Sequence, residues 1–226
     1  MSISKNIEVL KKEIPKSVKL LAVSKTKPLE SLEEAYQAGM RDFGENKVQE
    51  MLKKQESFHD DVHWHLIGKL QTNKVKYIVG KVDLIHSLSS IKLLQKIENE
   101  FGKSNETANV LIQINIGREE SKSGVFIEDL EALIVEIEKC KYVKAKGIMV
   151  IIPKGNDEEN RKYFKETKKI FDDLKVRKFK NITMEILSMG MTHDYKIAIE
   201  EGSTLVRIGE GIFGKRIYNL GGTSNE

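Results

Sequence analysis

The sequence predicts an α/β fold, a single (β/α)8 TIM barrel with a short leading helix. Three observations point there. Short apolar runs alternate with amphipathic segments from end to end, the pattern of parallel strands joined by outer helices. There are eight such runs, the number that closes a sheet on itself. No Gly-x-Gly-x-x-Gly follows the first run, which weakens the rival, an open nucleotide-binding sheet. The 226 residues suit one barrel domain, for which roughly 250 is usual.

The elements follow in order. A helix is expected around Lys5–Glu13, so that residues 1–18 form a leading helix and loop. The strands are expected at Lys19–Lys25, Asp42–Glu45, Val62–Ile67, Leu84–Leu88, Asn109–Ile116, Val143–Ile151, Thr183–Ser188 and Leu205–Ile208. Between them, Ser31–Met40 lines up Leu32, Tyr36 and Met40. Ile91–Phe101 lines up Leu94, Ile97 and Phe101, and Phe126–Glu138 lines up Leu130, Leu133, Ile134 and Ile137. Asp157–Leu174 does the same with Phe164, Phe171 and Leu174. In the fifth strand, Ile112, Ile114 and Ile116 share one face, Gln113 and Asn115 the other. That polar pair either points to the catalytic mouth or fills a polar core layer, and the two readings stand equal. No repeat or low-complexity linker divides the chain, so residues 1–226 are expected to be one domain, with 219–226 as a flexible tail.

Composition narrows the function. The 38 basic and 34 acidic residues give a net charge of +4 on a mixed surface, without the clustered Lys/Arg of a nucleic-acid footprint. A modest basic excess still favours phosphorylated small molecules. The single cysteine, Cys140, rules out an internal disulfide framework. The N-terminus lacks the apolar core of a signal peptide, and no run approaches the roughly 20 residues of a membrane span. A cytoplasmic protein is expected.

Candidate residues cluster at strand ends, where barrels carry their chemistry. Lys25 closes the apolar run "LLAVSK". A lysine in a partly dry pocket loses its proton more easily and becomes a Schiff-base nucleophile. On position alone, a solvated strand-end lysine is the stronger reading. In "FGENKVQE", Asn46 is placed to cap the next helix, or to line the mouth. His63-x-His65 puts two imidazoles on one strand face, but a catalytic metal needs a third ligand and no carboxylate stands at a late strand end, so no metal site is expected. "REESKSGV" is a polar loop, either a lid or plain surface. Lys69 and Lys122 read as solvated mouth residues. The last two strand ends carry the strongest signal: Ser188, Gly190 and Thr192 in "LSMGMTHD", and Arg207, Gly209 and Gly211 in "VRIGEGIFG". Barrels often bind phosphate after strands seven and eight, where glycines expose backbone N–H groups. A lysine nucleophile with a phosphate cup suggests either a Schiff-base aldolase for a sugar phosphate or a pyridoxal phosphate (PLP) protein. Aldolase lysines tend to lie on later strands, which favours PLP.

Seven segments in order, "AVSKTKP", "FGENKVQE", "WHLIGKLQTNKVK", "LIHSL", "INIGREESKSGV", "LSMGMTHD" and "STLVRIGEGIFG", resemble the pyridoxal phosphate homeostasis protein family. They run from residue 22 to 214, nearly the whole chain. The resemblance implies a barrel like the N-terminal domain of alanine racemase. It implies an internal aldimine between Lys25 and pyridoxal 5'-phosphate, with Arg207 approaching the pyridine nitrogen. Phosphate contacts are expected from Ser188, Gly190, Thr192, Gly209 and the backbone of Glu210, with Asn46 and His65 near the cofactor. Two positions depart from the family pattern. Thr192 stands for the usual serine and keeps the hydroxyl. Glu210 stands for a frequent threonine, so its carboxylate must turn away and leave only its backbone N–H.

An arginine at the pyridine nitrogen disfavours a protonated ring, a weaker electron sink. Racemases of this barrel type take a second acid/base tyrosine from an added β-domain, and the sequence ends soon after the last strand. The expectation is therefore a monomeric PLP carrier that regulates vitamin B6 and amino-acid balance without substantial turnover. It would pass the cofactor to PLP-dependent apo-enzymes. The alternative is an amino-acid racemase-type enzyme.

Overall fold

The computed structural model describes residues 2–120 and 122–215. Helix α1 (Ile3–Glu13) starts where the Ser2 side chain accepts from the Lys5 N–H, and buries Ile7 and Leu10. Then β1 (Lys19–Val23), α2 (Leu29–Gln37), β2 (Asp42–Glu45), α3 (Val48–Gln55) and β3 (His63–Leu66) alternate. A 3-10 turn, Thr72–Tyr77, leads to β4 (Leu84–Leu88), α4 (Ile91–Lys103) and β5 (Ala108–Ile114). A second 3-10 turn, Ile127–Asp129, enters α5 (Leu130–Glu138). There follow β6 (Val143–Val150), α6 (Asp157–Lys175), β7 (Ile182–Met191), α7 (Tyr195–Glu200), β8 (Leu205–Ile208) and α8 (Glu210–Phe213).

The eight strands pair in sequence order, all parallel, and β8 returns to β1 with Leu21 opposite Arg207. The sheet is a closed barrel, as its strand–helix alternation predicts. Helix starts follow from local chemistry. Ser90 caps α4 by accepting from Leu93, and Asn156 and Glu159 form a reciprocal capping box on α6. The main apolar core lies between strands and helices, with Phe43, Trp64, Phe101 and Phe164 buried in it. A separate small cluster of Leu84, Leu111 and Met149 lies inside the barrel. Leu111 shares its strand face with Gln113, and Met149 with Ile151, and both of these line the mouth.

The seventh strand runs to Met191 rather than stopping at Ser188. Gly190 sits at φ +92 within it, and the β7–β8 register shifts between Ser188 and Met191. A glycine that reads as a turn in sequence is here a bulge inside a strand. It must be glycine, because a Cβ would meet the Ala198 Cβ at 2.6 Å. Asn46 does not cap α3. The cap position is Lys47, without a side-chain cap bond, and Asn46 turns to the barrel mouth. The tail expected at 219–226 lies outside the described residues.

Candidate functional site

The C-terminal strand ends enclose a cavity of about 1010 Å³. Its wall carries Lys25, Lys27, Asn46, Lys69, Gln113, Lys122, Thr192, Arg207, Gly209, Glu210 and Lys215 among others. Basic side chains outnumber the one carboxylate, Glu210, on the described wall, so the cavity suits an anionic ligand.

Lys25 is half-buried on this wall, and the backbone on both sides of it is pinned from below. The ammonium of Lys54 is buried under the loop. It donates to the Ser24 carbonyl at 2.9 Å, to Glu45 Oε1 at 2.7 Å and to Glu50 Oε1 at 2.8 Å. Ser24 Oγ donates to the same Glu45 oxygen at 2.6 Å. Glu50 Oε1 in turn accepts the Thr26 N–H at 2.5 Å. Thr26 holds φ +64, uncommon for a β-branched residue, and the Glu50 bond is what fixes it. Burial pushes the Glu45 carboxyl up, against the pull of Lys54 and Ser24. Burial also acts upward on Glu50, but the Lys54 and Thr26 donors win and hold it below the ordinary range.

The two expected turns are tied to each other. The Thr192 hydroxyl accepts the Gly211 N–H at 3.2 Å, joining the end of β7 to α8. Gly209 lies against the end of β1, where an added Cβ would come within 3.3 Å of the Val23 carbonyl. The lysine and the turns therefore adjoin across the β1–β8 seam. Glu210 is exposed, with its carboxylate 3.9 Å from His193 Nε2. Gly68 lets the β3 loop pass the Asn46 backbone, since a Cβ there would lie 2.3 Å from the Asn46 carbonyl oxygen.

Arg207 forms the cavity floor and is almost wholly buried. It donates to Ser188 Oγ at 2.7 Å and to the Val150 carbonyl at 2.8 Å. Burial pulls its pKa down to about 10, partly offset by the Asp194 carboxylate, so the guanidinium remains a cation at neutral pH. Below it, Ser188 lies 3.2 Å from His86 Nδ1, and His86 Nε2 lies 2.9 Å from His65 Nδ1. His65 Nε2 lies 3.2 Å from Asp42 Oδ1, which Lys19 also reaches at 2.9 Å.

Of the sequence-predicted residues, Lys25, Asn46, Thr192, Arg207, Gly209 and Glu210 come together on the cavity wall. Ser188 and His65 stand beneath the floor, and Gly190 shapes β7 from behind it. Gln113 lines the cavity and donates to the Ser123 carbonyl at 2.9 Å, while Asn115 donates to the Glu119 carbonyl at 2.9 Å. Gln113 in β5 and Asn115 just past its end thus hold the backbone of Ser123 and Glu119 at the rim. Lys69 and Lys122, expected at the mouth as solvated residues, line the cavity wall, and Lys122 donates to the Ile152 carbonyl at 3.1 Å. The Lys54 cluster and the placing of His86 next to His65 were not foreseen. Glu50 and Lys54, four residues apart on one helix, were the available signal for the first. Among the described residues no group of three or more His, Cys, Asp or Glu side chains forms a metal set.

Comparison with known proteins agrees with the fold. The family described as "Alanine racemase, N-terminal domain" matches residues 1–216. The pyridoxal phosphate homeostasis protein of Aquifex aeolicus is 48% identical over 202 residues, 88% of each chain. That of Haemophilus influenzae is 42% identical, covering 90% of this chain and 87% of its own. PipY of Synechococcus elongatus, solved with PLP bound, superposes with a TM-score of 0.87 at 34% identity, over 94% of this chain and 100% of its own. Alanine racemase of E. faecalis shares the fold at a TM-score of 0.72 and 14% identity, over 95% of this chain and 58% of its own. The chain belongs to the alanine racemase N-terminal domain family and, within it, to the pyridoxal phosphate homeostasis proteins.

Proposed function

We propose that this protein binds pyridoxal 5'-phosphate reversibly at the barrel mouth, attached through Lys25, and serves PLP homeostasis as a carrier. The observation that carries the reading is Lys25 on the wall of a basic cavity whose floor is a fixed arginine. It is supported by the names of the relatives and by the PLP bound to PipY. The residues suit the cofactor's chemistry. The deprotonated Lys25 amine adds to an aldehyde carbon and loses one water to leave a C=N bond, and water reverses the step. The Thr192 hydroxyl and the backbone around Gly209 and Glu210 are the donors for a phosphate, with Gly190 setting the turn behind them. The Glu210 carboxylate, near His193, leaves its backbone N–H to serve. Asn46 lines the same wall, while Ser188 and His65 act from under Arg207.

When bound, PLP supplies an electrophilic aldehyde and, in enzymes, an electron sink. Arg207 is a cation that only donates, so it gives a ring nitrogen no means to keep a proton. That disfavours carbanion chemistry, and the proposal is a protein without substantial turnover. Loaded protein incubated with amino acids in heavy water is expected to incorporate no α-deuterium beyond free PLP. Incorporation above that background would make it an enzyme of the racemase type.

The same reading includes a single-domain monomer that works in the cytoplasm and hands the cofactor to PLP-dependent apo-enzymes. It is supported by the single cysteine, Cys140, which is buried and leaves no internal disulfide. No described helix is long and apolar enough to cross a membrane.

A further inference from the structure

We propose that Ser188, His86 and His65 are positioning residues for Arg207, linked in a hydrogen-bonded column of a single polarity that crosses the barrel from the cavity floor to Asp42. The end groups dictate the direction. Arg207 at the top has only donors, and an ionised Asp42 at the bottom has only acceptors. Asp42 is ionised: burial acts to raise it, but the His65 and Lys19 bonds outweigh burial and hold it at about 2.

The protons then follow one by one. His65 Nε2 must carry hydrogen to meet Asp42 Oδ1. Ser188 Oγ accepts from Arg207 Nη1, so its own hydrogen is left for His86 Nδ1. His86 Nε2–H is left for His65 Nδ1. Both imidazoles are neutral and protonated on Nε2, and each donor in the series meets the acceptor below it. Two other assignments fit the distances: a doubly protonated His65 donating upward to His86, with His86 Nδ1–H donating to Ser188, or a doubly protonated His86 donating to both Ser188 and His65. Each leaves the Ser188 hydrogen without an acceptor and puts a second cation in the same dry interior as Arg207. Ser188 and His86 are fully buried and His65 nearly so, where both costs are high. The one-way arrangement has neither.

The consequence for Arg207 is mechanical and electronic. Its guanidinium is held by the Val150 carbonyl and by a hydroxyl that cannot turn away, because that hydroxyl is committed downward. Bonds aligned head to tail polarise one another, so the hydroxyl is a better acceptor for the guanidinium than a free serine. The remaining guanidinium hydrogens keep a fixed direction toward the cavity. The ligand part of this inference rests on the reading of the cavity as a PLP site.

The test uses the full chain with 15N-labelled histidine. In the cofactor-free protein, the nitrogen shifts of His65 and His86 are expected to show neutral rings protonated on Nε2. Ser188→Ala removes one oxygen and is expected to move the shifts of His65, a residue it does not touch. PLP labelled with 15N in its ring is then titrated into wild type, Ser188→Ala and His86→Leu. Both variants are expected to bind about tenfold more weakly and to shift the ring nitrogen signal. If His86→Leu does not fold, Ser188→Ala decides alone. A protonated His65, or variants that bind PLP with wild-type affinity and an unmoved ring signal, overturn the column and leave the cofactor reading in place. A wild type that takes up no PLP overturns that reading, whatever the imidazoles show.

Discussion

Arg207 is the residue on which the chemistry of the mouth turns, and its surroundings make it a fixed donor rather than a proton source. His86 beneath it has a measurable cost. Burial first, then the neighbouring His65 and the Arg207 charge, hold its ring well below the ordinary 6.5. The folded state therefore keeps His86 neutral while the unfolded chain protonates near 6.5. The stability that this neutral ring contributes is complete above that value and is lost as pH falls below it, by at most about 1.4 kcal/mol per pH unit. Denaturant midpoints measured from pH 7.5 to 5 should fall in wild type and fall less steeply in His86→Leu. Equal slopes would contradict a neutral buried His86. Lys25 was legible as an apolar run ending on a charge, whereas the contact between His65 and His86 was not. In register, His65 faces Leu84, and only the tilt of strands in a closed barrel brings the two rings together.

At the scale of elements, strand ends and loops divide the work. The β1 end presents Lys25, and α3 holds it there through Lys54 and Glu50. Replacing Lys54 by methionine leaves Glu45 and Glu50 without their shared cation, in a place where water is scarce. The expected cost is roughly 3–5 kcal/mol in unfolding free energy. Faster amide exchange at Thr26 is the local readout, since its N–H bonds Glu50 only while Lys54 holds that carboxylate. Unchanged exchange there would show that the loop stands without the cluster. The eight strands were readable because buried parallel strands are apolar runs with turn signals between them. Thr72–Tyr77 gave no helical signal because six residues are too short for an amphipathic repeat. The bulge at Gly190 was unreadable because a glycine in sequence marks a turn and a bulge alike.

At the scale of the molecule, closure of the sheet explains why residues far apart in sequence meet. β8 beside β1 brings Gly209 to the end of the strand whose following turn carries Lys25, and the interior splits into an apolar cluster and a polar column. The fold class was legible from strand count and alternation. The composition of the mouth was legible in part, because strand ends can be located from sequence, while the directions of side chains around a barrel cannot. In the proposed function this mouth holds PLP through Lys25. The most direct measurement is an absorbance spectrum of the protein with PLP, before and after borohydride, followed by peptide mapping of wild type and Lys25→Ala. A visible band that borohydride removes is expected, with the cofactor fixed on the peptide containing Lys25, and neither in the variant. A protein that stays colourless with added PLP, or an adduct mapped to another lysine, would contradict it.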